Sequence, residues 1–357
     1  MTVAASQGVI GWGPQVAKGT LATNWYKHKA VQVETGAQQE VRQFPQEVGG
    51  GFHPTGAYKR MGFAAGQVIM HPRLQDVIGW LLYAAVGDLS TIADTPEASM
   101  YRHQYTPPAD FCDMPWLSVR KEIPAGCDVG TENLGEILKD CRVSGLRFAV
   151  EAGGLAQCAA TFVGREPSLS ETGVDTWTWT NAAYEDKEGV PTAAASDQVT
   201  VGGTTMVATN IVIDIQNQFT TPDEELIIGS YYPDDMILQQ QTMQVRWTYK
   251  WNDPDLYKSI VTGANTESGG DIDWSPTVHT SAFLSKFKTP GNATGMSNPW
   301  AIEFYAPEMV WQAAGSPRLV GGGWLSLEYQ GIAQEPTSGD TLRVRLENLT
   351  SGYSWPT

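Results

Sequence analysis

Few residues in this sequence stand in patterns that carry chemistry. The histidines at 28, 53, 71, 103 and 279 show neither the H-x-x-x-H nor the H-E-x-x-H spacing that sets two imidazoles on one helix face for a metal. Acidic residues pair at Asp234-Asp235, Glu224-Glu225 and Asp271-Ile-Asp273. A glycosidase needs two carboxylates facing each other across a sugar, which adjacency in sequence does not supply. Asp271 and Asp273 lack the rest of an EF-hand ligand series. These acids read as solvated loop residues. No G-x-S-x-G elbow is present, and Gly49-Gly-Gly51 is not followed by the Lys-Ser/Thr helix that a phosphate cradle requires. Asn292-Ala-Thr294 and Asn348-Leu-Thr350 match glycan sequons, which have meaning only in a secreted protein. No catalytic, cofactor-binding or metal-binding residue is assigned. The chain is read as non-enzymatic, with no cofactor.

The cysteines, Cys112, Cys127, Cys141 and Cys158, contain no C-x-x-C pair and read as buried free thiols. The opening MTVAASQGVIGWGPQ has neither a basic n-region nor an apolar h-region, so synthesis in a cytoplasm is expected, without disulfides. No stretch approaches the roughly 18 apolar residues of a membrane span, so no membrane partner is expected. With 357 residues, 41% of them hydrophobic and 17% charged, the chain is globular and long enough for two cores. Its 23 basic and 39 acidic residues give a formal charge of −16, and no Lys/Arg run interrupts it. That balance argues against gripping DNA, because an acidic wall repels phosphates. It leaves room for DNA to pass.

The elements behind these residues are mostly strands. Polar and apolar residues alternate over 142–150, 211–215, 243–249, 324–329 and 342–346, the period of sheets with one buried face. One helix is expected from Pro72 to Val86, closed by Gly87, and a shorter one from an Asp253 cap to Thr262, closed by Gly263. Glu166 to Ser196 mixes small and charged residues around Trp177-Thr-Trp179 and reads as a connection. Pro45, Gly49 to Gly51 and Pro54 mark a long loop.

Short matches recur in one order. Pro72-Arg-Leu returns as Pro254-Asp-Leu (254 − 72 = 182), Thr106-Pro as Thr289-Pro (289 − 106 = 183) and Pro115-Trp as Pro299-Trp (299 − 115 = 184). The strand near Val143 to Phe148 then falls opposite Leu325 to Gln330, and Ala159 to Val163 near Val344. An internal duplication is the expectation. The fold class is mainly β, with two tandem β-sandwich or barrel domains, each with a flanking helix. The first occupies residues 1–165, a connection 166–198, and the second 199–357. Open sheets leave edges that demand a partner, and a head-to-tail contact that closes gives a ring.

These residues resemble the tail tube proteins of long-tailed, siphovirus-like bacteriophages. The opening Gly11-Trp-Gly-Pro-Gln-Val-Ala-Lys-Gly19-Thr20 is similar to that family's N-terminal arm. Pro45 to Tyr58, then Gly62-Phe-Ala-Ala-Gly-Gln-Val68 and a helix, follow its loop, strand and helix order. Val199-Thr-Val-Gly-Gly203, Ile211 to Asn217, Tyr231-Tyr-Pro-Asp-Asp235 and Leu342 to Asn348 complete the likeness, which spans nearly the whole chain.

The resemblance implies rings stacked into a tube in the virion tail, a conduit for genome ejection. Its lumen holds the tape-measure protein and then double-stranded DNA, without specific binding. The family places six domains around a ring, so a two-domain chain implies homotrimeric rings with pseudo-sixfold symmetry rather than hexamers. Tail terminator and tail-tip proteins are the further partners implied. The N-terminal arm to Thr20, the loop Glu34 to Tyr58 and the connection Glu166 to Ser196 are the candidate assembly contacts. The alternative is a carbohydrate-binding or carbohydrate-cleaving β-sandwich of the virion, using the 13 tryptophans and 13 tyrosines as a sugar groove. Another ring component at a tail end would share the tube protein's fold.

Overall fold

The computed structural model describes residues 8–46, 48, 50, 53, 56–75, 77–92, 97–124, 133–170, 173–180, 189–251, 254–263, 276, 278–317, 325–336 and 342–355. Strand makes up 55% of the chain and helix 8%, so the mainly β expectation holds. The strands are β1 (Val9–Pro14), β2 (Tyr26–His28), β3 (Gln32–Gln43), β4 (Ala57–Met70), β5 (Asp88–Ile92), β6 (Tyr101–Thr106), β7 (Leu117–Ile123), β8 (Leu134–Glu151) and β9 (Gln157–Ser170). They continue with β10 (Val199–Val201), β11 (Thr204–Met206), β12 (Ala208–Phe219), β13 (Leu238–Lys250), β14 (Thr280–Asn292), β15 (Pro299–Ala313), β16 (Ser326–Ala333) and β17 (Arg343–Asn348). Helix α1 (Ile78–Val86) follows β4, and α2 (Asp255–Thr262) follows β13.

All these strands pair antiparallel in one hydrogen-bonded network. In the first half the neighbours run β2-β1-β7-β8-β9-β4-β3, and in the second β11-β10-β14-β15-β16-β13-β12. The registers coincide as well. Val33↔Val68 and Ile211↔Trp247 stand at offsets of 211 − 33 = 178 and 247 − 68 = 179. Val68↔Ala160 matches Trp247↔Tyr329, adding 329 − 160 = 169. Val143↔Phe162 matches Trp311↔Gly331, adding 311 − 143 = 168.

Two of the irregularities coincide as well. In β7–β8, Leu117↔Cys141 steps to Val119↔Leu138, so two residues on β8 face one on β7. In β14–β15, Ser281↔Met309 steps to Phe283↔Ala306 in the same way, at offsets of 281 − 117 = 164 and 309 − 141 = 168. In β3–β4, Glu40↔Met61 steps to Val41↔Lys59, and in β12–β13, Gln218↔Gln240 steps to Phe219↔Leu238. Such bulges bend a strand and re-aim its side chains.

Two joints knit the halves together. Gly145–Glu151 of β8 pairs with Asn210–Gln216 of β12. Strand β17 lies between Ala301–Tyr305 of β15 and β6, so residues distant in sequence share one ladder. The core runs through both halves, from Trp12, Val68, Leu81 and Phe162 to Trp247, Phe304 and Tyr329.

The first helix begins six residues later than expected, at Ile78 instead of Pro72. The backbone before it is taken by other partners: Leu74 N donates to Gly189 O, and the Leu74 and Gln75 carbonyls accept from Asn348 and Thr350. Its close at Gly87 holds, with φ 125° and the Gly87 N–H returning to Tyr83 O. Helix α2 ends as expected on Gly263, in the left-handed region at φ 70°, where glycine has no Cβ penalty. The Asp253 cap lies outside the described residues, as do Trp324, Asp271 and Asp273. The 34–58 loop is mostly hairpin: β3 runs to Gln43 and β4 starts at Ala57.

Candidate assembly surfaces

The first surface is the N-terminal arm to Thr20, expected to be an assembly contact. Among the described residues it is built into the sheet. Trp12 is fully buried because β1 lies between β2 and β7. Past β1, Gln15 and Gly19 fold over Asp140, whose carboxylate accepts from Gln15 Nε2 (2.8 Å), Gly19 N (2.7 Å) and Arg165 (2.7 Å). Asp140 is fully buried and sits in the β7–β8 bulge at φ 53°. Aspartate tolerates that left-handed conformation better than most side chains. A charge removed from water here is held by one cation and two N–H donors.

The second surface is the end of the β12–β13 hairpin, which lies on the first half of the chain. Phe219 (9% exposed), Met236 and Leu238 close over Met114 (2%), with Trp116 and Val163 packed beside them. Polar bonds fix the turn. Gly62 N donates to Tyr231 O (3.1 Å), Arg165 Nε to Pro233 O (2.8 Å) and Arg142 Nη1 to Met236 O (2.5 Å). Arg60 bonds Asp223 (2.7 Å), and Lys18 bonds Asp235 (3.2 Å). A side chain at Gly62 would strike the Tyr231 ring. The Arg142 guanidinium lies 3.9 Å from the Trp116 ring centre, and burial brings its pKa down to about 10.

The third is the connection. Its described parts are tied within the chain rather than left free. Trp177 and Trp179, with Trp25, enclose Arg120 at 4.9, 4.1 and 4.4 Å, and burial lowers that guanidinium to about 10. Residues 189–197 then cross to the second half. Ala156 N donates to Pro191 O, Thr192 N to Lys288 O and Asp197 N to Lys286 O.

The fourth is the end of the β3–β4 hairpin. Val41 (58% exposed) and Phe44 (49%) face solvent, and Phe44 lies tilted against exposed Tyr58, 5.3 Å away. Strand β3 pairs with β4 alone among the described residues, whereas β12 pairs on both sides. Sequence reasoning singled out this region as a loop. Its polar strand, Gln32 to Gln43, carries too little alternation to reveal a hairpin.

The residues first considered for chemistry are dispersed. Burial lowers His28 to about 4, where it stacks on Trp12 at 5.6 Å, and lowers His103 and His279 as well. His71 Nδ1 meets Ala156 O at 2.9 Å. Asp235 holds Lys18, and Glu224 caps Thr221 N (2.7 Å). Cys141 and Cys158 are buried thiols, and burial pushes Cys158 up to about 12. Cys112 is exposed, contrary to the expectation of burial, because it sits in a short turn ahead of β7; Cys127 lies outside the described residues. Four of the tryptophans that a sugar groove could use, Trp12, Trp247, Trp300 and Trp311, are fully buried. One recess, lined by Met206, Leu256, Ser259 and His279, holds about 230 Å³, below the size usual for ligand sites. Among the described residues no three His, Cys, Asp or Glu side chains gather as a metal would require.

A polar, edge-bearing sheet whose irregular segments clasp other sheets is the build of a structural assembly protein. The sequence profile described as Phage tail tube protein matches residues 6–330. The chain belongs to the phage tail tube protein family, and is thus a non-enzymatic structural subunit of the virion's tail tube, a protein that self-polymerises. No curated protein matches the sequence significantly.

Proposed function

We propose that this chain is a two-domain tube subunit of a siphovirus-like tail, in which three copies close a ring of six similar β units. The first unit runs to the end of β9 at Ser170, five residues past the expected boundary because 166–170 ladder with β8, and the second lies within 199–357, joined by 171–198. The reading rests on one observation: the two halves carry the same strand order, matching registers over most of each ladder, and two bulges at the same ladder positions. Independent folds do not place two bulges at the same ladder positions by chance. The pairing order also replaces the offset near 182 as the preferred correspondence, setting β7 against β14 and β8 against β15. Rings then stack into a conduit that holds the tape-measure protein and later passes double-stranded DNA, with terminator and tip proteins at its ends. The formal charge of −16 supports this, because a basic lumen would drag on phosphates.

Electron microscopy of the purified protein tests the reading. Hollow filaments of constant width with six-unit rings, and three chains per ring by native mass spectrometry, are expected. Rings of six chains, or a persistent monomer, would sink it. Deleting residues 36–56 should abolish normal tubes.

A further inference from the structure

The chain makes one contact of a kind that its own geometry requires twice. In the matched registers, Phe219 and Leu238 of the docked hairpin correspond to Val41 and Lys59 (219 − 178 = 41; 238 − 179 = 59). On the receiving side, Met114 lies three residues before Leu117, so its counterpart, three before Ser281, is Val278 (114 + 164 = 278). Val163 corresponds to Ile332 (163 + 169 = 332). Met114 is 2% exposed beneath the docked hairpin, whereas Val278 is 58% exposed. Thus one hairpin end and its seat are covered inside the chain, whereas Val41 at the corresponding hairpin end and Val278 at the corresponding seat are exposed, with Ile332 half-buried beside it.

We propose that the β3–β4 hairpin end of one copy docks on the second half of an adjacent copy, with Val41 seated against Val278 and Ile332. The occupant is a second copy of this chain, because the two bare surfaces are the complementary halves of a contact it already makes. Were they joined within one copy, both would be buried. Repeating the intrachain contact between chains gives every unit the same two neighbours, a heterologous contact that closes when the rotation per unit is a sixth of a turn. This rests on the two-unit reading above and names its interface.

Disulfide trapping tests it. In a Cys112→Ser, Cys127→Ser background, Val41→Cys and Val278→Cys are made as separate chains, mixed and assembled. A 41–278 bond can then form only between copies, and with equal random mixing about half of the chains should enter one dimeric band on mild oxidation, since each chain meets a complementary neighbour half the time. The doubly substituted chain should give a ladder ending at three. Tubes that assemble while both thiols remain free overturn the interface but leave the tube reading intact; unsubstituted protein that never forms tubes overturns the tube reading. If the cysteine chains do not assemble, amide exchange on unsubstituted tubes decides. Segments around 41–44 and 278–280 should slow at least tenfold against unassembled protein, and unchanged exchange at both refutes the proposal.

Discussion

At the outer end of β12–β13, Phe219 and Leu238 lie in a closed apolar cluster, whereas Val41 and Lys59, past the same bulge in β3–β4, lie in solvent. The backbone irregularity is common to both hairpins, so it sets where each end is aimed. The side chains set whether the end must be covered at once. Large apolar residues suit a contact made within the chain. A small valine beside lysine and arginine suits a surface that stays in water until a neighbour arrives, since exposed strand edges and broad apolar patches invite uncontrolled association. The helices differ in the same sense. All of α1 except Tyr83 is buried, while α2 buries only Leu256 and Ser259.

Three perturbations would break or sharpen this contrast. The largest effect is expected at Asp140. Asp140→Ala strands Arg165 and the Gln15 and Gly19 donors, and should cost about 3–5 kcal/mol in denaturant unfolding of the unassembled chain. A loss below about 1 kcal/mol would mean that the clasp over β8 contributes little. Next, Phe219→Ala should cost about 3 kcal/mol, and Val41→Ala within about 0.5 kcal/mol, as at ordinary surface sites. Equal losses would erase the distinction between docked and bare ends.

An effect smaller than the Asp140 and Phe219 losses is expected from mild acid. His28 lies in β2, and its counterpart in β11 is Met206, which does not titrate (28 + 178 = 206). Burial holds the folded His28 near 4 against an ordinary 6.5, so between those values the unfolded chain binds more protons. The stability is therefore complete above pH 6.5 and is lost as pH falls toward 4. Going from pH 7 to 5.5 should cost about 1 kcal/mol, and His28→Met should flatten that slope. Amide exchange at pH 5.5 should rise in β1–β2 more than in β10–β11.

Much of the sheet was legible because strands with one buried face alternate: 142–150 and 243–249 lie in such strands, and the apolar run 211–215 lies in a strand buried along its whole stretch. Both helix ends were legible from Gly87 and Gly263. What escaped was set by distant partners. The start of α1 depends on Gly189, Asn348 and Thr350, residues remote in sequence. The β3 hairpin, exposed along most of its length, leaves no burial pattern to read. The offset between the halves under the proposed pairing drifts from 189 at β1 (200 − 11) to 164 at β7, so dipeptides at one spacing match unlike strands. The inserted β5–β6 hairpin accounts for part of that drift. Asp140 and Arg165, central to the clasp, gave no signal, since neither belongs to a motif.

Strand β17 and the segment after it carry a consequence for how the molecule is made. Tyr353 packs on Gly79, Trp355 on Trp80 and Tyr83, and β17 on β6. The early part of the polypeptide therefore cannot seal its helix until residue 355 has left the ribosome. Maturation waits for translation to reach the far side of the sequence, and a nascent fragment holds an unfinished core.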